Sequence, residues 1–300
     1  MARRPNAGLL TAEALETVAN LSLLARGIVD GFMAGVHRSP HIGVSVEFAE
    51  YREYAPGDPL KTLDWQVYAR TDRYVVRQFH DETNLRACVV VDTSNSLNFT
   101  SDPSRPTKFR FATCLAAVLI HLLMRQRDAA GLVSFSSEIG TYFPPRLTPV
   151  AQREMVEYLE SLQPGGTTLA AETLHQVAER MPRRSMVLVI SDLLGDPDEI
   201  VAALKHLRHN RNEVLVFQVL DPAELDFPYR GLNDFRDLES GAMLEADADA
   251  LRDEYVAAMQ AFLKRYTKTC ADARIEHHVM RTDQRFDRAL AAVLRGRSRW

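Results

Sequence analysis

The sequence predicts an α/β fold in which a mostly parallel central sheet carries helices on both faces. Short, purely apolar segments with β-branched residues recur along the chain, and segments with a helical spacing of apolar residues separate them. A strand that is buried on both faces has no polar side, so its sequence is a continuous apolar run. Alternation of such strands with helices is typical of parallel strands that are joined by helical crossovers.

The predicted elements follow one another in a regular order after residue 84. The first buried strand covers residues 87–92 (ACVVVD), and further strands are predicted at 131–135, 186–190, 213–220 and 275–281. Helices are predicted at 107–127, 149–162, 169–181, 197–209, 248–273 and 284–295. In the first of these helices, Leu115, Leu119 and Leu122 recur at three- and four-residue spacing. Ser240-Gly241 in the middle of residues 237–245 predicts a small β-hairpin insertion near 234–246.

Residues 1–84 differ in character and are predicted to be an N-terminal helical and irregular extension, packed on a main domain of residues 85–300. A helix is predicted over residues 11–34, followed by a stretch of alternating character near 44–54. The remainder is dense in aromatic and charged side chains, including Trp65 and Arg70. This part is either a docking surface for a partner or a cap whose tryptophan fills a gap. An exposed Trp65 would favour docking, and a buried one would favour the cap.

Composition excludes several classes of protein. A formal charge of -4 and a pI near 6.2 do not support nucleic-acid binding by the whole chain. Cys88, Cys114 and Cys270 have no paired spacing, which argues against a disulfide framework and a zinc site and favours a reducing compartment. The longest apolar run, Cys114–Met124, is shorter than the roughly 20 residues that cross a bilayer. The sequence therefore predicts a cytoplasmic protein without an integral membrane segment.

Oxygen-bearing side chains follow the first buried strand. Asp92 ends that strand, and Ser94 and Ser96 follow as alternate residues, so one tight loop can turn all three side chains toward a single point. Ligands of open parallel sheets bind at the carboxyl ends of the strands. One carboxylate and two hydroxyls are hard-oxygen donors of low total charge, and they suit Mg²⁺, with Mn²⁺ or Ca²⁺ as alternatives, better than zinc.

Two more donors are expected at the same edge of the sheet. Asp192 follows the strand at 186–190, and Thr167 or Thr168 lies in the loop that begins Gly165-Gly166 and precedes a helix. Each element alone has a simpler explanation, because Asp, Asn and Ser also form turns and cap helices. All of them occur in the order and with the intervening elements that a shared metal site requires. The sequence therefore predicts a metal site, with Thr167 and Thr168 as alternative ligands.

These residues resemble the metal-ion-dependent adhesion site of the von Willebrand factor type A fold, which is Rossmann-like. The resemblance places the metal ligands at Asp92, Ser94, Ser96, Thr167 and Asp192. The five-residue pattern is complete, but the spacing after the threonine departs from the family, which leaves Thr167 and Thr168 as alternatives.

Most of the chain also resembles domain-of-unknown-function family fifty-eight. The segments that carry this resemblance are EFAEYREYAPGD (47–58), SDLL (191–194), LDPAELDFP (220–228) and DLESG (237–241). The resemblance implies a type A-like domain that acts with a MoxR-type AAA+ ATPase in chaperone-like assembly or activation of other proteins.

The low charge of the donor set predicts what the metal would bind. Mg²⁺ held by few carboxylates keeps a position for an outside carboxylate, so a partner protein's Asp or Glu is the expected ligand. Asn95 and Gly166 beside the site, together with Trp65 and Arg70, are the residues expected to contact this partner.

Two other functions stay open at the level of sequence. A metal-dependent phosphotransferase or hydrolase would use Asp92 as its nucleophile, but a haloacid-dehalogenase-like site would need a second acid where Ser94 stands. A metal-free scaffold would use the same loop for polar packing. The sequence has neither a G-x-S-x-G elbow nor a P-loop, so no residue is assigned a catalytic role.

Overall fold

The computed structural model describes residues 20–36, 51–53, 65–77, 85–167 and 169–297. The strands are β1 (Tyr51–Glu53), β2 (Val75–Arg77), β3 (Arg86–Asp92), β4 (Ala129–Phe135), β5 (Ile139–Arg146), β6 (Ser185–Ser191), β7 (Glu213–Leu220), β8 (Leu232–Arg236), β9 (Met243–Asp247) and β10 (Glu276–Arg281). The helices are α1 (Leu21–Val36), α2 (Trp65–Thr71), α3 (Lys108–Arg125), α4 (Pro149–Ser161), α5 (Ala170–Arg180), α6 (Pro197–His209), α7 (Pro222–Asp226), α8 (Ala248–Asp272) and α9 (Asp287–Arg297), and a 3-10 turn spans Asn95–Leu97.

The chain forms two compact units. The smaller unit, within residues 36–84, contains α2 and the antiparallel pair of β1 and β2. The larger unit contains α1 and everything from residue 85 onward. Helix α1 is tied to α4 within it, because the Leu21 amide donates to Glu160 Oε1 at 2.7 Å. The smaller unit thus ends at residue 84, and α1 is grouped with the sheet. The packing of the extension on the main domain stays a prediction.

Six strands of the larger unit form one sheet in the order β10-β7-β6-β3-β4-β5. All neighbours are parallel except β4 and β5, which are antiparallel. Every residue of β6 is buried, as is every residue of β3 after Arg86, so these strands can be continuous apolar runs. The predicted mostly parallel sheet is confirmed.

Helices cover both faces of this sheet. Residues of α5, α6 and α8, such as Leu174, Leu204 and Tyr266, share one buried cluster with Cys88 and Val90 of β3. Helix α3 has no residue in that cluster and contacts β3, β4, β6 and β7 from the opposite face. Among the described helices, none is both long and apolar enough to cross a membrane.

The small hairpin insertion is also confirmed. Strands β8 and β9 pair in antiparallel fashion, and their turn contains Ser240-Gly241, with Gly241 at φ +73°. Phe235 of β8 stacks on Phe227, with ring centroids 5.6 Å apart. The aromatic contact attaches the hairpin to the segment that follows α7.

Strand β5 is an element that the sequence did not predict. Its residues are exposed or partly buried, and it contains Pro144 and Pro145, which a strand at the edge of a sheet tolerates. It lies unusually close to β4 at Gly131. A Cβ atom on Gly131 would lie 2.7 Å from Phe143 O and 2.9 Å from Pro145 N, which are backbone atoms of β5.

Replacing Gly131 with alanine is expected to lower the free energy of unfolding by about 1–3 kcal/mol, because the hydrogen-bonded edge strand must move to admit the methyl group. Equilibrium urea denaturation measures the change. Gly165→Ala is the matched control, because a Cβ there meets nothing within 4 Å. Equal stability of the two variants would contradict the close approach of β5.

Candidate functional site

The predicted metal ligands gather at the carboxyl edge of the central sheet. Asp92 is the last residue of β3, and Asp192 directly follows β6, the parallel neighbour of β3. Because parallel strands end at the same edge, the two carboxylates lie on adjacent strand ends. Both side chains are fully buried.

Asp92 is held from two sides. Its Oδ1 accepts the Ser94 backbone N–H at 2.9 Å, and its Oδ2 accepts the Ser191 hydroxyl at 2.6 Å. Burial and the negative charge of Asp192 raise the pKa of Asp92 from 3.8 to about 7, against the opposing effect of these hydrogen bonds. A cation placed between the two carboxylates would offset both causes and favour the ionised form.

The two serine hydroxyls of the loop meet. Ser94 Oγ and Ser96 Oγ are 3.0 Å apart, with Ser94 buried and Ser96 partly exposed. In an octahedron with metal–oxygen bonds of about 2.1 Å, adjacent ligands are also about 3.0 Å apart. The spacing of the hydroxyls therefore fits two neighbouring ligands of Mg²⁺. In the part of the chain that the structure describes, no three His, Cys, Asp or Glu side chains are grouped in a way that could hold a metal.

The glycine loop that precedes α5 lies against the serine loop. The Gly165 amide donates to Thr93 O at 2.9 Å, and the Asn95 amide donates to Gly166 O at 3.1 Å. Gly166 has a φ of +78°, in the left-handed region that glycine adopts without strain. Thr167 follows with an exposed side chain, whereas the alternative Thr168 lies outside the described residues. The backbone thus brings the predicted threonine loop to the site.

Asp192 has a partner that the sequence did not predict. The ammonium group of Lys108 lies 2.9 Å from Asp192 Oδ2 and 2.6 Å from Glu224 Oε1. Lys108 is fully buried at the first position of α3. A cation at a helix N-terminus is opposed by the helix dipole, so a lysine at the start of so apolar a helix was the signal that could have revealed this contact.

The opposite side of Asp192 is held through its backbone. Gln218 Nε2 of β7 donates to Asp192 O at 2.9 Å, and Gln218 Oε1 accepts from His277 Nε2 of β10 at 2.9 Å. All these atoms belong to buried or partly buried residues. A line of hydrogen bonds across two neighbouring strands therefore fixes the position of Asp192.

The hairpin borders the site. The side chain of Asn95 donates from Nδ2 to the carbonyl oxygen of Leu238, in the turn between β8 and β9. Asn95 was expected to contact a partner, and in this structure it contacts the hairpin. Leu232 and Met243, at the two ends of the hairpin strands, are 70% and 68% exposed. The hairpin whose turn contacts the serine loop therefore carries exposed apolar side chains.

Of the other two residues expected to contact a partner, Trp65 begins α2 and Arg70 is exposed near the end of that helix. The side chain of Trp65 lies outside the described residues, so its predicted role in docking stays a prediction.

The mostly parallel sheet and the oxygen donors at its carboxyl edge are those of a domain of the von Willebrand factor type A-like fold class. Within that class, the chain belongs to the family described as protein of unknown function DUF58, whose model matches residues 50–264. The resemblance to family fifty-eight is thereby confirmed.

Relatives of this chain occur in mycobacteria. Uncharacterized proteins of Mycobacterium tuberculosis and Mycobacterium bovis are each 31% identical to it over 280 residues, which cover 91% of this chain and 85% of theirs.

Among solved structures, the conserved hypothetical protein BatB from Bacteroides thetaiotaomicron is similar, with 19% identity and a TM-score of 0.48 over 72% of this chain and 98% of that one. The SpRpn10 VWA domain is similar with 10% identity and a TM-score of 0.40 over 69% of this chain and 93% of that one.

Proposed function

We propose that this protein is a metal-dependent protein-interaction module that binds an Asp or Glu side chain of another protein. The observation that carries the proposal is the pair of hydroxyl oxygens of Ser94 and Ser96, 3.0 Å apart beside the buried carboxylate of Asp92. Mg²⁺ fits this donor set best, with Mn²⁺ or Ca²⁺ as alternatives. When bound, the metal supplies a coordination position that a partner's carboxylate completes.

The residues of the site divide the work of holding the metal. The hydroxyls of Ser94 and Ser96 would bind the metal, and Thr167 would supply a third oxygen from the neighbouring loop. Asp92 and Asp192 provide the negative charge, and each already accepts hydrogen bonds through both carboxylate oxygens. These carboxylates would therefore supply negative charge to the site while the uncharged hydroxyls bind the metal, which would then keep a strong attraction for an outside carboxylate.

The same contacts argue against Asp92 as a nucleophile. Its side chain is fully buried, and both of its oxygens accept hydrogen bonds within the loop. Position 94, where a haloacid-dehalogenase-like site would need its second acid, bears a hydroxyl whose partner is Ser96. The site is thus better suited to hold a ligand than to accept a phosphoryl group, and we assign no catalytic residue. A metal-free scaffold is the remaining alternative.

The family resemblance suggests the partner. A MoxR-type AAA+ ATPase, acting with this chain in chaperone-like assembly or activation of other proteins, is the partner that we propose. The surface it would meet combines the metal site with exposed Leu232 and Met243 on the adjoining hairpin.

The metal is tested first. Titration of the purified protein with MgCl₂ in a calorimeter should show one site, and Asp92→Asn should weaken binding by about 10–100-fold because the nearest negative charge is lost. Asp253→Asn, an exposed aspartate of α8, is the matched control and should bind like the wild type. If the wild-type protein binds none of Mg²⁺, Mn²⁺ and Ca²⁺, the proposed metal dependence is wrong and the metal-free scaffold is the alternative that remains.

The partner is tested with the purified MoxR-type ATPase of the same organism, immobilised and offered wild type or Asp92→Asn in MgCl₂ and in EDTA. Retention only of the wild type, and only with Mg²⁺, is expected. Retention that EDTA does not change would refute a metal bridge. Phosphatase activity that disappears in Asp92→Asn would instead support the enzyme.

A further inference from the structure

Lys108 places a positive charge against Asp192, one of the two carboxylates of the proposed metal site. We propose that Lys108 is a built-in counter-cation that keeps Asp192 out of direct metal coordination and sets the metal affinity of the site below the value its carboxylates alone would give. The inference rests on the proposed function, because it concerns the affinity of the same site. Lys108 is an affinity-determining residue that acts through Asp192.

The ammonium group of Lys108 is held in place by its contacts. Its ammonium bonds Asp192 Oδ2 at 2.9 Å and Glu224 Oε1 at 2.6 Å, and it lies 6.0 Å from the centre of the Phe99 ring. Lys108 is the first residue of α3, and the side chain of the N-cap residue Thr107 accepts a hydrogen bond from the Arg110 amide. A fully buried ammonium needs such partners, because an unpaired buried charge is strongly disfavoured.

Glu224 is equally fixed. Its Oε2 accepts the Asp221 amide at 2.8 Å in the capping box of α7, and its backbone oxygen accepts the Tyr255 hydroxyl at 3.0 Å. Lys108 is therefore clamped between the carboxyl edge of β6 and the helix that follows β7. The clamp determines the geometry of Asp192, whose Oδ1 is in turn directed to the Leu194 amide at 3.4 Å.

The charge balance explains why this lysine affects a metal. Asp92, Asp192 and Glu224 carry three negative charges when ionised, and Lys108 offsets one of them, which leaves the charge that a single divalent cation balances. Without Lys108, one more negative charge would attract the metal, and Asp192 Oδ2 would be free to coordinate it directly. Electrostatic attraction in a buried site of low effective dielectric is strong, so the gain in affinity is large.

A set of four proteins tests this inference by Mg²⁺ and Mn²⁺ calorimetry: the wild type, Lys108→Met, Glu224→Gln and the double variant. Replacing Lys108 is expected to tighten metal binding at least about tenfold in both backgrounds, because one repelling charge is removed. Glu224→Gln alone is expected to weaken binding. The Glu224→Gln background keeps the test usable if Lys108→Met alone does not fold, because the double variant removes both charges of this ion pair.

Tighter binding is a result that general damage to the fold does not produce. Lys268→Met, an exposed lysine of α8, is the matched control and should bind metal like the wild type. If the wild type binds metal and replacement of Lys108 leaves the affinity unchanged or weaker in the folded double variant, the inference is wrong. If none of the four proteins binds metal, the proposed function fails instead. Binding only after Lys108 is replaced would support the inference and overturn metal dependence in the native chain.

Discussion

Lys108→Met is expected to lower the free energy of unfolding of the metal-free protein by about 3–5 kcal/mol, the usual effect of removing one partner from a buried ion pair. The lysine is fully buried and neutralises Asp192 and Glu224, at 2.9 and 2.6 Å. Its loss leaves two acids facing each other without a cation, near the carboxylate of Asp92. Urea denaturation in EDTA measures the change.

Two comparisons separate the loss of the charge from the loss of packing. Glu224→Gln should cost much less, because Lys108 keeps its ion pair with Asp192. Free Mg²⁺ at ten times its dissociation constant should raise the free energy of unfolding of any variant that binds it by about 1.4 kcal/mol. A Lys108→Met protein as stable as the wild type in EDTA would contradict the existence of the buried ion pair.

Acidification from pH 6.5 to 4 is expected to remove up to about 3 kcal/mol of stability through His277. Burial, assisted by the neighbouring His278, lowers the pKa of His277 from 6.5 to about 4. As the pH falls, the unfolded chain therefore takes up this proton first, near pH 6.5. The loss of stability begins there and is complete only below about pH 4, where the folded protein is protonated as well.

The neutral ring is the form that the surroundings of His277 accommodate. Its Nε2 donates to Gln218 Oε1 at 2.9 Å, and its Nδ1 accepts from the Thr267 hydroxyl at 3.1 Å. His277→Gln cannot titrate, so its urea-unfolding free energy should change less than that of the wild type between pH 7 and 4. His209→Gln, an exposed histidine at the end of α6, controls for the loss of a histidine. Parallel pH profiles for wild type and His277→Gln would show that another group causes the acid sensitivity.

Most of the larger unit could be predicted from sequence because its local patterns agree with its burial. Strands β3 and β6 are apolar between their end residues, and β7 is apolar apart from Glu213 and Gln218, since these strands are covered on both faces. Helix α6 has the predicted ends at Pro197 and His209. Strand β5 could not be predicted in this way. It is an edge strand with partly exposed residues and two prolines, and its pairing with β4 determines its structure.

In the candidate site too, contacts between residues close in sequence could be predicted and contacts between distant residues could not. Asp92, Ser94 and Ser96 are close in sequence, so their convergence follows from one tight loop and could be predicted. The contact between Lys108 and Glu224 joins residues 116 positions apart, and that between Asn95 and Leu238 joins residues 143 apart. Such contacts depend on how the helices and the hairpin pack, and no local pattern specifies them.

The hydrogen bond between Asn95 and the hairpin turn couples ligand binding at the loop of Ser94 and Ser96 to ligand binding at the hairpin. The side-chain amide of Asn95 ties the loop of Ser94 and Ser96 to Leu238, so any ligand of the loop that requires this bond to break also frees the hairpin turn from the loop. By linkage, if such a ligand strengthens the binding of a protein to the freed hairpin turn by some factor, that protein must strengthen the binding of the ligand by the same factor. The side-chain amide of Asn95 would thus couple two separate binding events.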